Sequence, residues 1–302
     1  MQLKRFGTLF PNLISTGRLT NFKYLKKTYL LYIIISNKIK SLIIIIRERV
    51  MRIFLSLAML FSFSVVAQEN VEYKYEVDGN KAEYYIGSYK DGKDVDDLVA
   101  WYGKFQKWAD TKGTTFDSMS VAILTPYFHS DLSSHDVMWV TTSPGPVDQF
   151  KGLQEWMTSG ASALIKSLPV VNSQQVDTWQ WTISQPTTTD AGSLMYATYA
   201  DCSLEDGFNM RQVYDMYRDF AVFAESQGDT LGRKLIVPDA GAKLPEGIDF
   251  IRLMYSSSIS ERGTNAELYF NKIEGSEAST NLKGFSCENA RSYIGQSMKT
   301  PK

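Results

Sequence analysis

VDDLVAWYGKFQKWADTKG at residues 95–113 and MRQVYDMYRDFAVFAESQG at residues 210–228 decide how this chain is read. At a constant offset of 115, Tyr102 matches Tyr217, Phe105 matches Phe220, Ala109 matches Ala224 and Gly113 matches Gly228, with Trp108 facing Phe223. Both stretches carry apolar residues at helical spacing. Leu98, Trp101, Tyr102, Phe105 and Trp108 form one stripe, and Val213, Met216, Tyr217, Phe220 and Phe223 form the other. Asp94 is placed to cap the first helix, with Asp97 in its first turn, and Gly113 and Gly228 are natural stops. A repeated helix of this kind points to an internal duplication.

The flanks repeat as well. YYIGSYKDG (84–92) precedes the first helix and MYATYADC (195–202) the second, each reading as a strand, with Asp91 set against Asp201. MSVAILTPY (119–127) and RKLIVPD (233–239) follow, with Pro126 opposite Pro238. DVMWVTTS (136–143) then matches DFIRLMYSS (249–257), with Asp136 opposite Asp249. These apolar, β-branched runs between turn residues are expected strands. In the first copy Gly152–Leu168 is expected to be a second helix. DTWQWTIS (177–184) alternates, with Trp179, Trp181 and Ile183 on one face and Thr178, Gln180 and Thr182 on the other. In the second copy Asn265–Ile273 is the expected helix, and Gly284–Tyr293 holds the expected last strand.

The order β-α-β-β-α-β, met twice, resembles the ferredoxin-like fold. Two fused copies resemble the dimeric α+β barrel superfamily, over about residues 82–294 and without a catalytic motif that singles out one family. The resemblance implies an α+β fold: two βαββαβ repeats, 82–184 and 194–294, joined by a linker at 185–193 and packed sheet to sheet as an intrachain barrel. In such a sheet the first and last strands of a repeat are antiparallel neighbours. Cys202 and Cys287, the only two cysteines, are therefore expected to form a disulfide, with two buried free thiols as the alternative. No C-x-x-C pair is present to suggest redox catalysis.

Residues 51–68, MRIFLSLAMLFSFSVVAQ, read as a bacterial signal peptide (51–67): Arg52, an apolar stretch, then Val65-Val66-Ala67 before the cleavage point. Residues 1–50 contain one acidic residue, Glu48, and no Ala, Asp, Trp, His or Cys. They are expected to be upstream sequence read as protein, with Met51 the true start. A membrane anchor is the alternative, but the apolar run Tyr29–Ile35 falls far short of the roughly 20 residues a span needs. Of 32 basic and 33 acidic residues, eleven basic and one acidic lie in residues 1–67, so residues 68–302 carry 21 and 32, a net charge near −11. Such a surface disfavours nucleic acid. The expected protein is exported, periplasmic or extracellular, with no membrane span after the signal.

Candidate chemistry is sparse. His129 and His135, with Asp131 and Asp136, form the one cluster of metal-ligand residue types, although the spacing fits no strong zinc pattern and the second copy has no histidine there. Tyr85, Tyr89, Trp139, Trp179 and Trp181 are candidates for lining a cavity between the two sheets, with ordinary packing as the alternative. Arg252 takes the place of Trp139 in the second copy, where it would face an acidic ligand or pair with Asp249 or Glu246. Dinucleotide, P-loop, serine-elbow and zincin motifs are absent, and no cofactor is expected. Two readings follow: an exported, non-catalytic ligand-binding or interaction protein taking a small apolar or aromatic molecule, or a cofactor-independent enzyme working in the inter-sheet cavity. The resemblance implies oxygenase or isomerase chemistry for the second.

Overall fold

The helix that begins at Asp94 is built as its sequence dictates. In the computed structural model, which describes residues 72–159, 162–186 and 191–302 with isolated positions 38, 41 and 47, Asp94 caps α1 (Val95–Asp110). Its carboxylate accepts the Asp96 and Asp97 amides, while Asp97 reaches back to the Asp94 amide. Asn209 and Gln212 repeat this capping box 115 residues later, at the start of α4 (Met210–Ser226). Such caps contribute about 1 kcal/mol each. The expected signal peptide, the segment before it apart from positions 38, 41 and 47, and linker residues 187–190 lie outside the described residues.

The strands are β1 (Gly79–Tyr89), β2 (Ser120–Pro126), β3 (Val137–Ser143), β4 (Val170–Ser184), β5 (Leu194–Leu204), β6 (Gly232–Ala240), β7 (Phe250–Ser256) and β8 (Phe285–Lys299). All pair antiparallel, in the closed order β1-β3-β2-β8-β5-β7-β6-β4. Each repeat contributes four adjacent strands in ferredoxin-like order, β4-β1-β3-β2 and β8-β5-β7-β6. Two seams, β2–β8 and β4–β6, join the repeats into one barrel. The chain thus has the α+β architecture of two fused ferredoxin-like repeats.

Loop hydrogen bonds show how closely the copies correspond. Asp136 donates its amide to Gly87 O at 3.0 Å and takes the Tyr89 amide on its carboxylate at 3.0 Å. Asp249 does the same with Cys202 O at 2.9 Å and the Leu204 amide at 2.7 Å. The offset of 115 therefore holds through β1 and β5. The counterpart of Asp91 is Asp206, which corrects the pairing with Asp201 read from aromatic neighbours.

Three other boundaries differ from expectation. The second helix starts earlier, as α2 (Pro146–Thr158), because Pro146 sits in its first turn, where a missing N–H costs nothing; α3 (Ser162–Ser167) follows. In repeat 2, α5 (Ile259–Leu268) begins six residues before the expected Asn265, where Ser258 Oγ caps the Glu261 amide, and its continuation, a π turn at Tyr269–Ile273, ends where the expected helix does. A short α6 (Glu277–Asn281) precedes β8. That strand runs past Tyr293 to Lys299 because its second half bridges to β2, with Gly295 opposite Leu124 and Gln296 opposite Ile123. A Cβ at Gly295 would stand 2.0 Å from Ile123 O, so this seam closes only around glycine.

Three apolar layers result. Trp101, Tyr102, Phe105 and Trp139 pack between the repeat 1 sheet and its helices. Val213, Tyr214, Tyr217 and Phe250 do so in repeat 2. Tyr84, Leu124, Val140, Tyr199, Leu253 and Tyr293 fill the barrel between the sheets. Burying each large side chain contributes about 1.5–3 kcal/mol. Among the described residues no helix is long and apolar enough to cross a membrane.

Candidate binding site inside the barrel

Tyr84 and Tyr199 are equivalent residues of the two repeats. Both point into the barrel, where their rings meet edge to face at 6.1 Å. Tyr293 adds a third ring, 5.5 Å from Tyr199. This aromatic cluster lies between two cavities, one toward each end of the barrel.

The larger cavity, about 470 Å³, has Tyr84, Val140, Met195 and Leu253 among its apolar walls, with Gln180, Thr182 and Lys234 among its polar ones. Lys234 is on β6, whose alternation turns Leu235 to the helix layer and Lys234 and Ile236 inward. The equivalent residue in β2 is Ala122, so the ammonium belongs to one repeat only. Its side chain crosses the β4–β6 seam and donates to Asn80 Oδ1 at 2.7 Å and Gln180 Oε1 at 2.9 Å. Gln180 in turn donates from Nε2 to the Tyr84 hydroxyl at 2.7 Å.

No carboxylate forms an ion pair with Lys234 among the described residues. Burial away from water pushes its pKa down to about 8, opposed by the field of Asp78. The same burial drives the Tyr84 and Tyr199 hydroxyls up, so both stay protonated as hydrogen-bonding groups. The site is an ammonium held by neutral amide oxygens at the end of a hydroxyl-lined, partly apolar cavity. Such a group gains by meeting an anion.

The opposite cavity, about 250 Å³, lies between Tyr293, Met138, Pro238 and the Asp201–Arg291 pair, whose oxygen and nitrogen are 2.8 Å apart. His135 stacks on Tyr293 beside it, its Nε2 3.4 Å from the tyrosine hydroxyl. His129 lies ring to ring with His135 at 5.4 Å, and its Nδ1 accepts the Asp131 amide. Among the described residues no three His, Cys, Asp or Glu side chains converge as a metal site requires.

The aromatic candidates fall elsewhere. Tyr85, Tyr89 and Trp139 face the helices of repeat 1 rather than the space between the sheets. Trp181 packs edge-on against Tyr214 of α4. Trp179 is 36% exposed, with Lys81 Nζ 4.8 Å from its ring centre. Arg252, between the inward Ile251 and Leu253, faces the helix layer, where its Nε is buried without a partner. The reason is strand parity: Tyr84 and Gln180 point inward, so Tyr85, Trp179 and Trp181 cannot. The inward residues that sequence reading missed, Lys234 and Gln180, left one signal. This was the polar face of DTWQWTIS, whose aromatic face was already committed to a helix layer or to the surface.

No family model matches the chain, and no curated protein does. Solved structures give distant likenesses. A dye-decolorizing peroxidase from Bacteroides thetaiotaomicron is 10% identical, covering 75% of this chain and 95% of that one, with a TM-score of 0.42. A chlorite dismutase from Candidatus Nitrospira defluvii, in complex with imidazole, is 11% identical, covering 74% of this chain and 92% of that one, with a TM-score of 0.38. The strand order and the two seams establish the architecture on their own: a dimeric α+β barrel made within one chain by two fused ferredoxin-like repeats.

Proposed function

We propose that this protein is an exported, non-catalytic binding protein whose barrel takes a small organic acid, its carboxylate on Lys234 and its apolar body against Tyr84, Val140 and Leu253. The observation that carries this reading is a buried ammonium with only neutral oxygens as partners, at the wall of a cavity of about 470 Å³. Two neutral hydrogen bonds do not replace the water the ion has lost, whereas a carboxylate supplies both charge and acceptors.

Calorimetric titration with benzoate, phenylacetate and octanoate, each against its matched alcohol, tests the reading. The acids are expected to bind at least tenfold more tightly than the alcohols at pH 7, and Lys234→Met to remove that advantage. Because the amine loses its proton near pH 8, affinity for the acids should fall about tenfold per unit above pH 8 while the alcohols stay level. Equal binding of acid and alcohol would overturn the proposal.

A second reading rests on the same amine. With a pKa of about 8, part of it is unprotonated at neutral pH, as a general base requires. Slow exchange of a ligand's acidic C–H for deuterium, lost in Lys234→Met, would favour an enzyme.

Export belongs to the proposal through the signal-like stretch at 51–67 and the acidic charge after it. Protein recovered from the native host is expected to begin at Gln68 by intact mass. A chain beginning at Met51 in the cytosolic fraction would end the export reading.

A further inference from the structure

A third cavity, of about 270 Å³, lies outside the barrel, between the repeat 1 sheet and helices α1–α3. Trp101, Phe105, Trp139 and Trp156 provide its aromatic walls, and Glu83, Thr141 and Gln149 lie on its polar side. Two buried polar atoms on residues that line it have no hydrogen-bond partner: Trp139 Nε1 and Gln149 Oε1. Their residues are only 9% and 7% exposed. A buried polar atom left in this state costs about 1–3 kcal/mol, which a bound group can recover.

The orientation of Gln149 is fixed by its surroundings. Its Nε2 donates to Glu83 Oε1 at 3.0 Å and Asp177 Oδ1 at 2.9 Å. Flipping the amide would turn its carbonyl against two carboxylates, so the free oxygen stays free. Glu83 is itself engaged, accepting the Tyr85 hydroxyl at 2.9 Å and the Thr141 hydroxyl at 3.2 Å on Oε2. The cavity therefore offers one buried unused donor, the indole N–H, and one buried unused acceptor, the amide oxygen. Glu83, Asp148 and Asp177 around this end disfavour an anion. Repeat 2 offers nothing similar at the equivalent place. There Arg252 replaces Trp139, and Val213, Tyr214, Tyr217 and Ala221 are packed to near-zero exposure.

We propose that repeat 1 holds a second, separate ligand site for a neutral, planar aromatic carboxamide, whose carbonyl accepts from Trp139 Nε1 and whose N–H donates to Gln149 Oε1. A dry cavity of about 150 Å³ already holds benzene, so 270 Å³ suits a one- or two-ring amide. Recognition is complementary in both hydrogen bonds, and the ring stacks among the aromatic walls.

Quenching of the tryptophan fluorescence of the full chain, to which Trp101, Trp139 and Trp156 on the cavity wall contribute, provides the readout. Titration uses 1-naphthamide, N,N-dimethyl-1-naphthamide, methyl 1-naphthoate and naphthalene. The primary amide is expected to bind at least tenfold more tightly than each of the other three. Trp139→Phe, which keeps the ring and removes the N–H, should reduce that preference at least fivefold. Lys234→Met should leave amide binding unchanged while removing the advantage of acids over alcohols in the barrel, so the two sites are distinguished. No preference for the primary amide in the wild-type chain would overturn the proposal, whatever the stability of the variant. So would an unchanged preference in Trp139→Phe, or no binding at millimolar probe.

Discussion

Replacing Arg233 with methionine is expected to cost 3–5 kcal/mol of folding stability, which for a domain of this size lowers the melting temperature by roughly 10 °C. Arg233 lies beside Lys234 on β6 but faces the opposite side of the strand. Its guanidinium grips Asp229 through two bonds, Nη1 to Oδ1 and Nη2 to Oδ2, both 2.8 Å. The same Nη1 reaches Leu231 O at 3.1 Å and Ser184 Oγ at 3.3 Å, so the pair ties β6 to the end of β4 across a seam. The Phe220 ring covers it, its centre 5.6 Å from the guanidinium carbon. Side-chain exposures of 4% and 2% leave almost no water for either charge.

The cost of the substitution therefore lies in what stays behind. Without Arg233, the Asp229 carboxylate keeps the Leu231 amide at 2.9 Å but loses its counter-charge in a dry place. Removing both charges in Asp229→Ala/Arg233→Met is expected to lose less than Arg233→Met alone, because no unpaired ion remains. Urea denaturation of both variants provides the test. A single variant within 1 kcal/mol of wild type, or a double variant no better than the single, would show that the pair is not a buried, coupled ion pair.

The neighbouring residues 233 and 234 show how far the sequence could be read. RKLIVPD was legible as a strand and as a copy of MSVAILTPY. Two basic residues at its start look like a solvated strand end, since Lys and Arg are seldom buried unless paired. What buries them is β4, which arrives from the other repeat. A seam between repeats has no local signature, because its contacts connect residues some fifty positions apart, as Trp181 and Leu235 do. The helices were legible for the opposite reason: cap, stripe and stop all lie within one turn or a few. The aromatic candidates sit at an intermediate point. Alternation separates Tyr84 from Tyr85 and Gln180 from Trp181, but in a sheet covered on both faces it does not say which face is the barrel interior. The tryptophans are candidates for an inter-sheet lining with ordinary packing as the alternative, and Trp139 and Trp181 take the alternative. In the structure it is Thr178, Gln180 and Thr182 that are inward, and the cavity is more polar than an aromatic lining implied.

Breaking the Cys202–Cys287 bridge is expected to lower stability by about 2–4 kcal/mol, again roughly 10 °C in melting temperature. The two residues stand directly opposite each other on β5 and β8 and are joined in the structure. Their equivalents in repeat 1, Gly87 and Asn172, also stand opposite each other but carry no bridge. A Cβ at Gly87 would meet Val171 O at 2.3 Å, so that position has no room for a side chain. The bridge is thus a property of repeat 2. It closes a separation of 85 residues that contains α4 to α6. In the chain-entropy model a loop of this length is worth about 4.5 kcal/mol, and measured values usually fall below the model. Cys202 is also fully buried against Val213 and Phe250. Cys202→Ala/Cys287→Ala therefore loses some packing along with the cross-link, and reductant separates the two contributions. Treating the wild-type chain with dithiothreitol removes the bridge and keeps both sulfurs. It should account for most of the drop seen in the double variant, which should itself be indifferent to reductant. Native protein whose cysteines both accept a thiol label without reduction, or whose melting temperature does not respond to dithiothreitol, would place the stability of repeat 2 in its packing alone.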